Sequence, residues 1–109
     1  MRRGEVRWYT FRAPDKRRPV LILTRNSALV FLTGVTVAPL TTTVRDIPTE
    51  VLLTPEEDGV STVCAVNLDN VQTVQQDQLG SLITPLSSIR MHEVEQALLF
   101  AFGMDTYRR

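Results

Sequence analysis

The chain has 109 residues, 43% of them hydrophobic and 22% charged, with a formal net charge of zero. That is enough for one domain around a single modest core and leaves no room for a second. Its apolar runs, such as residues 28–32, fall far short of the roughly 18 residues of a membrane span; the N-terminal segment turns polar too early for a secretory leader; and one cysteine, Cys64, excludes an intrachain disulfide. The cytoplasm is the expected compartment.

The zero hides an asymmetry. Residues 1–25 carry eight cations against two acids, a segment charge of +6, and residues 26–109 carry the balancing −6. Such a distribution points to a nucleic acid or another phosphate-bearing partner, although the overall pI does not.

In chain order, residues 5–12 alternate with period two. Val6, Trp8 and Thr10 share one face and Glu5, Arg7, Tyr9 and Phe11 the other, which predicts a strand with one face buried. The stretch DKRRPVLILTR, residues 15–25, then sets Lys16, Arg17 and Arg18 directly against a short apolar strand, with Pro19 expected as its first residue, where no ladder hydrogen bond is lost. Cations at a strand mouth are either a solvated turn or the seat of an anion. The apolar run 28–32 offers core packing or a dimer contact in equal measure.

Strands rich in β-branched residues are predicted over 35–40, 49–53, 61–67 and 70–74, separated by turn chemistry at 33–34, 46–48 and 54–59. Residues 75–80 read as one helical turn before a short strand at 81–86. From Ser87 or Ser88, either of which suits an N-cap, an amphipathic helix is predicted with Met91, Val94, Leu98, Ala101 and Phe102 on its apolar stripe and Gly103 at its C-terminal cap. Closely spaced short strands predict a mainly β, antiparallel barrel or sandwich with this helix packed on it.

Little of the usual catalytic equipment is present. His92 is the only histidine, so one chain cannot build a two-histidine ribonuclease site, and its charged neighbours suggest an exposed surface position. Cys64, mid-strand among apolar residues, reads as a buried, inert thiol. The acids at 56–58 lack zinc or magnesium spacing, and there is neither a glycine-rich phosphate loop nor a serine beside a histidine. Neither metal nor cofactor is expected. Arginine and threonine remain: Thr41, Thr42 and Thr43 close the strand VAPL, where hydroxyls can donate to an anion, although threonine favours strands in any case.

Six segments, RRGEVRWYTF, RRPVLILTRN, VTVAPLTTTVRDIPTEVLL, VNLDNVQTV, QLGSLITPLS and MHEVEQALLFAFG, resemble the MazF/PemK family of toxin endoribonucleases in the same order and over essentially the whole chain. The resemblance implies a small SH3-like antiparallel β-barrel of the MazF/CcdB type with a C-terminal helix, residues 1–109 forming one toxin domain. It also implies a homodimer, a MazE-like antitoxin with an acidic disordered segment, and metal-independent cleavage of single-stranded RNA at short sequences. The family's catalytic arginine, before the proline of its R-P-V motif, falls on Arg18, and its catalytic threonine, closing P-L-T, falls on Thr41. RNA contacts are then expected at Asp15, Lys16, Arg17, Thr42, Thr43, Asn70 and Gln72.

Such a pair suits RNA, which carries its own nucleophile in the 2′-hydroxyl and needs only in-line positioning and stabilisation of the phosphorane charge. Products would be a 2′,3′-cyclic phosphate and a 5′-hydroxyl. The loop before the R-P motif is shorter than in many members and offers Asp15 as its only acid, which leaves the general base open. Gln72 stands where a cation is frequent, a change expected to alter base selection more than chemistry. Two other readings remain: a gyrase poison of the CcdB type, whose terminal Trp-Gly-Ile this sequence lacks, and a non-catalytic RNA-binding barrel, for which few aromatic residues are free of the core.

Overall fold

A computed structural model describes residues 1–11 and 16–107, so Asp15 and the side chain of Lys16 lie outside the described residues. Strand β1 (Glu5–Phe11) runs antiparallel to β2 (Lys16–Ile22), with Trp8 opposite Pro19, Tyr9 opposite Arg18 and Thr10 opposite Arg17. The one-turn helix α1 (Asn26–Leu29) leads into β3 (Gly34–Thr41). Next come β4 (Glu50–Leu53), the one-turn helix α2 (Pro55–Asp58), β5 (Cys64–Asn67), β6 (Gln72–Gln75), β7 (Leu82–Pro85) and the long helix α3 (Ser88–Ala101).

The strands form one antiparallel sheet in the order β4-β5-β3-β2-β1-β7, with β6 added alongside β3. Strand β3 is the pivot. Residues 34–37 pair with β6, residues 37–39 pair with β2, and Leu40 and Thr41 pair with Val66 and Ala65 of β5. Changing partners along one strand curls the sheet into a half-barrel, which is the mainly β architecture with a C-terminal helix that the sequence suggests.

Both faces of the central strands are covered. Leu21, Ala38 and Leu40 join Val6, Leu53, Val66, Leu68 and the α3 residues Met91, Val94 and Ala97 in one core cluster; Val20, Ile22, Val35 and Val37 turn the other way to meet Leu29 and Val74. Successive strand residues alternate in direction, so a strand buried on both sides must be apolar without interruption, and the run 20–22 is. The same covering corrects the reading of β1 as a strand with one buried face. Val6 lies in the first cluster while Tyr9 and Phe11, edge to face at 4.8 Å, pack against the second.

Four further local readings change. Pro19 is the fourth residue of β2 rather than the first, because pairing with β1 extends back to Lys16 opposite Phe11. The acidic turn is helix α2, capped by the Thr54 hydroxyl, which accepts from the Glu57 N–H, and closed by Gly59 at φ 76°. The run 28–32 divides: Ala28 and Leu29 are buried, whereas Val30, Phe31 and Leu32 are 85%, 67% and 41% exposed. Helix α3 begins after Ser87, whose hydroxyl accepts from the Arg90 N–H, but Ala97 takes the buried place on its stripe and Phe102, at the C-cap, is exposed. Among the described residues no helix is long and apolar enough to cross a membrane.

Candidate active site

The last residues shared by the β2–β3 ladder are Val20 and Pro39. Neither Pro19 nor Pro39 has an N–H with which to extend it. Continuing the same register by two residues would set Thr41 opposite Arg18, so two residues 23 positions apart in sequence come to the same end of one strand pair. Arg18, Leu40 and Thr41 border two clefts at once, of about 510 Å³ and 310 Å³. The Arg18–Thr41 pair is thus a ridge with a hollow on either side.

Thr41 is set up as a donor. Its hydroxyl oxygen accepts the Thr43 backbone N–H at 3.1 Å, which leaves its own proton free to point outward. Thr43 therefore acts here through its main chain, and Thr42 is exposed on the border of the larger cleft. The loop that follows is held by Glu50, whose carboxylate accepts from the Arg45 backbone N–H at 2.9 Å and its Nε at 3.0 Å, while Asp46 adopts φ 55°.

In the larger cleft Trp8, Arg17, Pro19, Val60 and Ile83 form the walls with Ser61 and Thr62. Consecutive strand residues face opposite ways, so Arg17 turns from Arg18 toward Trp8, its guanidinium carbon 4.1 Å from the indole centroid. Cys64 also lines this cleft, but burial, reinforced by the nearby Asp58 charge, pushes its thiol pKa up. A protonated, nearly covered thiol is wall rather than nucleophile.

The smaller cleft is amide-rich. Asn70 and Gln72, both expected from the sequence, stand there with Asn67 and Phe11, which the sequence did not single out. Asn67 accepts the Asp69 N–H at 3.0 Å, and Thr49 donates its hydroxyl to Asp69 at 2.6 Å, fixing the 3₁₀ turn Leu68–Asn70. An Asn two residues before an Asp is a turn signal legible in the sequence; its place beside Thr41 is not.

The basic N-terminal quarter divides into engaged and free cations. Arg7 donates to Glu5 at 2.8 Å and to the Gly80 carbonyl at 2.9 Å. Partial burial alone would raise the Glu5 carboxyl, but hydrogen bonds from Arg7 and the Arg2 backbone, with the Arg7 charge, hold it below its usual range. Arg3 reaches the Leu23 carbonyl and Glu95. By contrast, the side chains of Arg17 and Arg18 meet no carboxylate among the described residues. His92 is exposed on α3 and borders neither cleft, and the described residues hold no cluster of three or more His, Cys, Asp or Glu that could bind a metal ion.

Residues 2–102 match the family described as the PemK-like, MazF-like toxin of type II toxin-antitoxin system. The chain is similar to the probable endoribonuclease MazF5 of Mycobacterium tuberculosis, 42% identical over 96 residues covering 88% of this chain and 87% of the relative. It is also 40% identical, over 94% of this chain and 99% of the relative, to the probable endoribonuclease MazF2 of the same species. Among solved structures, a mycobacterial endoribonuclease in complex with its cognate antitoxin superposes with a TM-score of 0.84 at 31% identity, covering 94% of this chain and 95% of that one. The M. tuberculosis toxin MazF-mt6 gives 0.77 at 38% identity, over 89% and 96%. The curled half-barrel, its helix and the ridge of Arg18 and Thr41 therefore stand in a chain that belongs to the PemK/MazF-like toxins of type II toxin–antitoxin systems.

Proposed function

We propose that this MazF-family endoribonuclease toxin cleaves single-stranded RNA by attack of the substrate's own 2′-hydroxyl, with Arg18 and Thr41 holding the scissile phosphate. The observation that carries this reading is an arginine that meets no carboxylate among the described residues, bordering the same two clefts as a threonine hydroxyl. A phosphate on the ridge leaves one hollow for each flanking nucleotide. The 2′-oxygen bonds to phosphorus as the bond to the 5′-oxygen breaks; the 2′ proton passes to a base, and the leaving oxygen gains a proton. Arg18 supplies a planar fork to the phosphorane oxygens, and Thr41 a neutral hydrogen bond, both aimed where negative charge grows. Asn70 and Gln72, with neutral amides, read base edges in the smaller cleft.

The likeness to an endoribonuclease solved with its cognate antitoxin supports a MazE-like antitoxin here, an acidic segment of which would compete with RNA for Arg17 and Arg18. We place the toxin in the cytoplasm as a homodimer. The test is the end chemistry. Incubated with RNA in excess chelator, the protein should leave 2′,3′-cyclic phosphate and 5′-hydroxyl ends, and a substrate with a single 2′-deoxy at the cleavage position should resist. Full cleavage of that deoxy substrate would exclude 2′-hydroxyl attack.

A further inference from the structure

We propose that the stacked pair Trp8–Arg17 is a nucleobase platform, holding the base of one nucleotide beside the scissile phosphate; this rests on the reading of the ridge given above. A basic residue next to Arg18 would ordinarily be counted as a second phosphate contact. Its geometry argues for another role. The Arg17 guanidinium lies over the indole, 4.1 Å from its centroid, and its side chain has no other partner among the described residues. The exposed Arg17 thus rests against the indole on one side and borders the cleft together with Trp8. Bases in single-stranded RNA stack on arginine planes as readily as on aromatic rings.

The support beneath the platform is rigid. Trp8 lies mid-strand in β1, its backbone N–H donating to the Ser81 carbonyl at 3.2 Å and its backbone carbonyl accepting from the Gly80 N–H at 2.7 Å. A Cβ on Gly80 would approach both the Trp8 carbonyl and its Cβ at 3.3 Å, tighter than an ordinary contact, so the chain passes close behind Trp8. In front lies the 510 Å³ cleft, within the ~300–1,000 Å³ range of small-molecule sites. Pro19, Val60 and Ile83 offer it apolar surface, and the exposed Ser61 and Thr62 hydroxyls can meet a base edge. Because Arg18 and Thr41 border the same cleft, a nucleotide whose phosphate rests on the ridge has its base within reach of the platform.

Stacking and phosphate contact make opposite demands on Arg17, and Arg17→Lys separates them because it keeps the charge and removes the plane. The probes are RNA oligonucleotides carrying the cleavage sequence, blocked by 2′-deoxy at the cleavage position, either intact or abasic immediately 5′ or 3′ of it. Trp8 is the only tryptophan, so its fluorescence reports occupancy, with anisotropy of labelled RNA as an independent measure. For a platform, Arg17→Lys weakens binding of intact RNA about tenfold or more, and the loss vanishes with one of the two abasic RNAs. Trp8→Phe should retain most of that base dependence. If Arg17→Lys binds all three RNAs as the parent does, while Arg17→Ala loses equally on all three with a shallower salt dependence, Arg17 is a phosphate contact and the platform is overturned. A parent that cleaves normally yet shows no base coupling in any variant sinks the platform alone; a parent that neither binds nor cleaves RNA sinks the underlying function with it.

Discussion

Two arginines, Arg18 and Arg90, occupy opposite electrostatic situations. Arg90, near the start of α3, is gripped on every side: its Nε and Nη2 reach Asp58 at 2.9 and 3.2 Å, Nη2 reaches Glu57 at 2.8 Å and Nη1 reaches Glu93 at 3.1 Å. The hydrogen bond to buried Asp58, foremost, raises its pKa further above an already high value. Asp58 in turn accepts the Thr54 N–H, and its carbonyl accepts the Thr84 hydroxyl, so one ion pair ties α2, α3 and β7 together behind Val60, Ser61 and Thr62. Arg18, on the cleft those residues wall, meets no such counter-charge among the described residues. An arginine whose anions come from its own fold is a structural tie; one that lacks them is poised for an anion from outside.

The contrast is most readily broken at Arg18 itself. Arg18→Ala should lower single-turnover cleavage by about 10²–10³-fold, the range for one lost transition-state donor, and leave the melting temperature unchanged. Arg90→Ala should do the reverse. It strands Asp58, whose side chain is 2% exposed, and should cost on the order of 3 kcal/mol of stability in urea unfolding while cleavage per folded molecule stays near the parental rate. A cleavage defect in Arg90→Ala as large as that of Arg18→Ala, with stability intact, would collapse the distinction.

The same logic sharpens to single hydroxyls. Thr41→Val keeps the shape and removes the outward donor, so a rate loss of about 10²-fold is expected. Thr43→Val keeps the backbone N–H that holds Thr41, and its loss should be less than about tenfold by the same single-turnover assay. Equal losses at the two positions would mean that the strand end is registered differently on the substrate.

How much of this was legible depended on range. Period-two alternation and β-branched runs marked the strands, and Ser87 with Gly103 bracketed α3, because these signals are local. The place of Pro19 was not local: its position within β2 follows from how far β1 pairs back along Lys16, Arg17 and Arg18. That Arg18 and Thr41 would border the same clefts was visible only through resemblance, since nothing in either segment encodes a register across β2 and β3. The Arg90–Asp58 tie joins residues 32 apart, and the acids at 56–58 could be read from sequence only as an acidic turn. Arg17 was read from sequence only as an RNA contact beside Arg18; its contact with Trp8 depends on the neighbouring strand, which brings Trp8 diagonally beneath it.

The central claim is that Arg18 touches the phosphate at which the RNA is cut. The most direct measurement replaces one non-bridging oxygen of that phosphate by sulfur, as separated stereoisomers, and compares cleavage rates for the parent and Arg18→Ala. Contact through one oxygen predicts that the parent discriminates between the stereoisomers and that Arg18→Ala, having lost the contact, largely does not. The same stereoisomer preference in both proteins would contradict the account, and would place Arg18 away from the reacting phosphate.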